Sequence, residues 1–243
     1  MAPTKTLLAP LAAAGFAYYH AQIPTSQLYG KTICREPEAG KRIAITFDDG
    51  PNPAYTEKMM QTLERHNAHG TFFLIGRWAE REPGLIRELH EAGHAIGDHT
   101  FTHPTLALKS GSEVQEELRR CRGAVEASGV TFSEVDGASI MRPPWGRRRP
   151  GTLRAIREAG FAPVLWSITG FDWRKRETAH SIARHCRKTG EGDIILLHDG
   201  THLEPAGDRS KSVGAAEEIM SRLVADGYEF VTVPELVRQA RAA

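Results

Sequence analysis

From residue 42 onward, short apolar runs alternate with longer amphipathic stretches, and this alternation restricts the fold more than any other feature of the chain. Runs at 42–47, 71–75, 94–98, 139–141, 162–168, 193–197 and 228–233 are short and bounded by turn residues, as strands are. Most are followed by a segment with apolar residues at helical spacing, such as Tyr55, Met59, Met60 and Leu63. Strand–helix alternation implies a parallel sheet, because a crossover helix is what returns the chain to the same end of the sheet. The prediction is an α/β fold of about seven strands, closing most simply into a barrel that lacks one member. A chain of 243 residues accommodates this as one domain, over 42–240.

Ahead of that domain, residues 6–19 are uncharged and rich in Ala and Leu, with Lys5 before them. Residues 1–21 therefore read as a short secretory or anchoring segment, too short to span a bilayer comfortably, and 22–41 as a linker. An exported or cell-envelope protein is expected, with no membrane association beyond such an anchor. With 40% hydrophobic and 25% charged residues and a formal net charge of +1, the chain is globular, and bulk charge does not draw it to nucleic acid. Cys34, Cys121 and Cys186 show no Cys-x-x-Cys spacing and read as free thiols.

The residues that break the apolar pattern fall at the ends of predicted strands. Asp48 and Asp49 follow the first, and alternation along extended backbone would point them to opposite sides, one for a cation and one for a proton. His99 and His103 follow the third; four apart, they would share one side of a helical turn. Arg142 precedes the rigid Pro143-Pro144-Trp145 turn, where a fixed guanidinium would orient a carboxylate base. Asp172 follows the next strand, and His198, a candidate general acid, ends the run before Asp199-Gly200. Each has an ordinary explanation in isolation: a turn, a solvated imidazole, a surface arginine. Parallel strands, however, bring all their C-terminal ends to one face, and five such coincidences outweigh the separate explanations. Trp145 and Trp173 would wall a sugar ring at that rim, and the triplets 147–149 and 174–176 would add six cations suited to an anionic glycan.

Taken together, Thr46-Phe47-Asp48-Asp49-Gly50-Pro51, His99-Thr100-Phe101-Thr102-His103, Arg142-Pro143-Pro144-Trp145-Gly146, Asp172-Trp173 and Leu196-Leu197-His198 resemble, in order, the motifs of the NodB-homology polysaccharide deacetylases, carbohydrate esterase family four. The resemblance covers about residues 42–237. It implies a distorted (β/α) barrel that removes N-acetyl groups from aminosugar polymers with a divalent metal, usually zinc. It further implies that Asp49, His99 and His103 hold the metal, and that Asp48 is the base, oriented by Arg142. His198 would be the acid, with Asp172 in the catalytic set. Pro144, Trp145, Trp173 and Leu196 would bind substrate, Leu196 against the acetyl methyl and the Trp145 N–H at the oxyanion. In one place the chain departs from the family: Thr169 stands where an aspartate would orient the catalytic histidine.

Two other readings compete. Hydrolysis of a small cyclic amide or ureide would need a deep, blocked cleft, and a catalytically silent glycan-binding module is disfavoured by the intact Asp48, Asp49, His99, His103 and His198.

Overall fold

The computed structural model describes residues 15–243. At the centre of its sheet is β1 (Arg42–Gly50), paired in parallel with β2 (Thr71–Leu74) on one side and β8 (Ile194–His198) on the other. Beyond β2 come β3 (Ala95–Asp98), β5 (Ala138–Met141) and β6 (Phe161–Pro163), and beyond β8 comes β7 (Ile168–Thr169). This makes seven parallel strands. Two short pieces complete the sheet: β4 (Glu134–Val135), antiparallel to β5, and β9 (Glu229–Phe230), a further parallel strand paired with the first two residues of β1. From Ile43 to Gly50, β1 is buried at every residue, as a parallel strand covered on both faces must be.

The α/β class holds, but the sheet is not closed. Residues 162–168, expected as one strand, are split between the two edges. Phe161–Pro163 pairs with β5, whereas Ile168–Thr169 pairs with β8. Between the two, Val164 N still donates to Met141 O at 2.8 Å and Val164 bridges to Ile33, so the chain crosses from one edge to the other beside the N-terminal segment and the edges do not pair.

Helices bury one stripe each against this sheet. Thr56–Arg65 buries Thr56, Met59, Thr62 and Leu63 at i, i+3 and i+4 spacing, and full burial of Met59 and Leu63 contributes about 1.5–3 kcal/mol each. It begins later than the expected Asn52-Pro53, because Asn52 Oδ1 accepts the Ala54 N–H and holds a turn there. Gly111–Glu126 starts from a capping box of Ser110 and Glu113, two residues ahead of the expected Ser112.

Residues 6–14 of the apolar N-terminal segment lie outside the described residues. Residues 15–22 are helical, and no described helix is long and apolar enough to cross a membrane. The stretch read as a linker lies against the domain. Arg148, buried, donates to the carbonyls of Ile23 and Ser26, each at 2.7 Å, and Leu165 N donates to Ile33 O at 2.6 Å.

Candidate active site

The strand register places the chemistry. Asp48 of β1 is level with His198 of β8, and Leu74, Asp98 and Met141 are level across β2, β3 and β5, so His99 and Arg142 leave the sheet side by side. Asp49 interrupts the β1–β2 register: Asp48 lies opposite Phe73, Gly50 opposite Leu74, and Asp49 is the extra residue, with φ 73°. A bulge of this kind re-aims a side chain. Both carboxylates therefore face the same imidazole, His99 Nε2 lying 3.7 Å from Asp48 Oδ2 and 3.5 Å from Asp49 Oδ1, in place of the opposite sides that simple alternation predicts.

His99 and His103 meet on a loop instead of a helical turn. Thr100 and His103 have φ of 67° and 63°, which no right-handed helix contains, and Pro104 follows. Three side chains hold the loop. Asp98 Oδ1 accepts the Thr100 N–H at 2.6 Å, and Thr100 Oγ1 accepts the His103 N–H at 3.0 Å. Glu117 accepts the N–H groups of Phe101 and Thr102 at 3.0 and 2.8 Å and the Thr102 hydroxyl at 2.8 Å. Glu117→Ala is expected to cost about 1.5–3 kcal/mol in chemical denaturation, since hydrogen bonds to a carboxylate are lost and two loop donors are stranded. Among the described residues, five of the seven left-handed non-glycine residues lie at this rim: Asp49 in the β1 bulge, and Thr100, His103, Trp145 and Phe171 in its loops. Backbone strain is therefore concentrated where side chains converge.

Around Asp49 the donors are imidazoles. Its Oδ1 lies 3.2 Å from His103 Nε2 but is buried without a hydrogen bond. Burial alone would raise the Asp49 carboxyl, yet the surrounding His202, His99 and His103 hold it well below the usual carboxylate range. Burial pushes His103 down to about 3, which leaves a neutral ring. An ionised oxygen without a proton donor, ringed by imidazole nitrogens, fits a divalent cation such as zinc.

Two ion pairs flank this group. Arg142, fully buried, donates through Nη1 to Asp48 Oδ1 and Thr46 Oγ1, both at 2.7 Å, and through Nη2 to Leu165 O at 3.1 Å. On the adjacent strand, His198 Nδ1 lies 2.8 Å from Asp172 Oδ1, and Asp172 Oδ2 accepts the His198 N–H at 2.8 Å and the Ser212 hydroxyl at 2.6 Å. Burial would lower the His198 imidazole, but Asp172, with smaller contributions from Asp49 and Asp48, raises it to about 9. Thr169, at the family's missing aspartate, accepts the Phe171 N–H at 3.4 Å. The carboxylate beside His198 is thus Asp172, three residues further on.

A cavity of about 410 Å³ opens on these groups, lined among others by Asp48, Asp49, His99, His103, Leu196 and His198. Trp145 and Trp173, both exposed, form part of its walls, and Trp166 joins them. Pro144, expected to bind substrate, is instead buried outside the lining, where its ring shapes the turn that carries Trp145. The ring of six cations is also reduced: Arg148 is buried under the N-terminal segment, and Arg147, partly buried, bonds Gln22 Oε1 at 3.0 Å. The sequence reading missed His202 and Gln22, which line the cavity, and Ser212, which supports Asp172. For His202 the available signal was its place four residues after His198, on the loop leaving a site strand.

Comparison with known proteins identifies the family. Residues 35–164 match the family model described as polysaccharide deacetylase. A peptidoglycan-N-acetylglucosamine deacetylase of Bacillus cereus is 37% identical over 207 residues, covering 83% of this chain and 91% of the relative. A chitooligosaccharide deacetylase of Azorhizobium caulinodans is 33% identical, covering 79% of this chain and 92% of that one. The solved structure of the peptidoglycan deacetylase PdaC from Bacillus subtilis superposes with a TM-score of 0.73 at 28% identity, covering 84% of this chain and 94% of the other. The chain belongs to the polysaccharide deacetylase family.

Proposed function

We propose that this protein is a metal-dependent hydrolase that removes N-acetyl groups from an aminosugar polymer of the peptidoglycan or chitin type, releasing acetate. The observation that carries the reading is the pair of dyads, Asp48–Arg142 and His198–Asp172, whose Asp48 and His198 line one cavity together with Asp49, His99 and His103. Asp49, His99 and His103 would hold the divalent cation, most simply zinc, which supplies Lewis-acid polarisation of the amide carbonyl.

The remaining work falls to side chains. Arg142 occupies Asp48 Oδ1 and so fixes the carboxylate with Oδ2 toward the cavity side of His99, where it takes a proton from the attacking water. His198 engages Asp172 through Nδ1, leaving Nε2 to protonate the departing amine; raised to about 9, the ring is charged at neutral pH, as an acid must be. Leu196 offers an apolar contact for the acetyl methyl, and the Trp145 and Trp173 rings flank the sugar. The names of the relatives support peptidoglycan or chitin oligomers as the substrate class. Exposed Arg149, Arg174, Lys175 and Arg176 suit an anionic polymer, and action on such a polymer suits an exported or envelope protein.

The test is acetate release from peptidoglycan, chitin oligomers and a panel of small cyclic amides, before and after chelation. Release from the polymers, lost with chelator and restored by Zn²⁺, is the expected result. Release from the cyclic amides alone, or activity indifferent to chelation, would overturn the reading.

A further inference from the structure

We infer that His202 belongs to the metal-holding set of this site, as an exchangeable ligand beside Asp49, His99 and His103; the inference rests on the metal-dependent reading above. Among the described residues, Asp49, His103 and His202 form a group whose potential ligand atoms all lie within 4.8 Å of one another. His202 Nδ1 is 3.8 Å from Asp49 Oδ2, the oxygen that His99 and His103 leave free, since both approach Oδ1. Its ring stacks on His103 at 4.4 Å and 15°, and meets Trp145 edge-on at 4.9 Å.

The loop carrying His202 is held in place. Trp78 Nε1 donates to Thr201 O at 3.1 Å, and Arg77 donates to His202 O. Gly200 N donates to Asp48 O at 3.3 Å, and a Cβ at Gly200 would overlap the Asp49 carbonyl oxygen. His202 is therefore tied to the backbone that carries both carboxylates.

One carboxylate and three imidazoles would fill a tetrahedral zinc site, whereas a catalytic site keeps a position open. One of the four must yield when substrate arrives. Side-chain exposure singles out His202, at 27% against 2% for His99, 4% for His103 and 6% for Asp49. The buried three make the permanent site, and the partly exposed fourth lines the same cavity.

The experiment separates the ligand nitrogen from the ring. Zn²⁺ affinity is measured by competition with a chromophoric chelator, and the visible spectrum by Co²⁺ substitution, for wild type, His202→Ala and His202→Phe. The phenylalanine keeps the stack on His103 and Trp145. Both variants are expected to lose at least the ~10–100-fold in affinity that partners of metal ligands typically control, and to share an altered Co²⁺ spectrum. Adding N-acetylglucosamine oligomer should move the wild-type spectrum toward that of His202→Phe. Wild-type affinity and spectrum in His202→Phe would overturn the inference, whether His202→Ala weakens binding or not, because the ring alone would then suffice. A wild-type protein that binds no divalent metal would sink the metal reading itself and this inference with it.

Discussion

Asp48→Asn is expected to lower kcat/KM for deacetylation by about 10²–10⁴-fold while leaving the metal content unchanged. The amide keeps an oxygen for Arg142 but has no site that takes a proton at working pH. Asp49, whose bulged backbone turns it to His99 and His103, would still supply the carboxylate of the proposed metal set. The substitution also removes the counter-charge of Arg142, which is buried completely. Breaking a buried pair from one side costs about 3–5 kcal/mol, so a lower Tm should accompany the kinetic loss. Steady-state kinetics, metal analysis and thermal unfolding on one preparation check all three. Loss of metal from Asp48→Asn together with its retention by Asp49→Asn would show that the two carboxylates have exchanged roles.

Asp172→Asn should pull the alkaline limb of the kcat/KM profile from about 9 toward or below 6.5. The sign follows from the role. His198 acts as an acid only when protonated, so activity is lost as pH rises through its folded pKa. In the intact site burial disfavours the charged ring and the Asp172 carboxylate more than restores it. With an amide at 172, burial is opposed only by the smaller contributions of Asp49 and Asp48, and the usable window shifts to lower pH. Thr169→Asp is a useful contrast: Thr169 bonds the Phe171 N–H and makes no hydrogen bond to His198, so the limb should stay in place. A limb unmoved by Asp172→Asn would mean that His198 is not the titrating acid.

Much of this site could be read from residue types and their order. Strand ends are visible where an apolar run meets a carboxylate or an imidazole, and parallel topology then guarantees that Asp48, His99, Arg142, Asp172 and His198 share a face. Helix spacing and caps were legible to within a few residues, as at Ser110 against the expected Ser112. Three features were hidden. The bulge at Asp49 depends on the register with β2, which periodicity does not encode. The burial of Arg148 depends on carbonyls more than a hundred residues away in the chain. His202 resembles any histidine after a turn until its loop is pinned by Trp78 and Arg77.

By itself the sequence determined the α/β class, the order of the motifs and the chemical inventory of the rim, because strand and helix periodicity and the donor types of Asp, His and Arg are local properties. Only the tertiary structure decided that Asp48 and Asp49 face one imidazole, that Asp172 serves His198 where Thr169 cannot, that the sheet stays open between β6 and β7, and that His202 joins the site. Those outcomes depend on hydrogen bonds and packing between segments distant in the chain, such as Arg142 and Asp48, 94 positions apart, and His198 and Asp172, 26 apart. Their geometry exists only after the strands have chosen their neighbours.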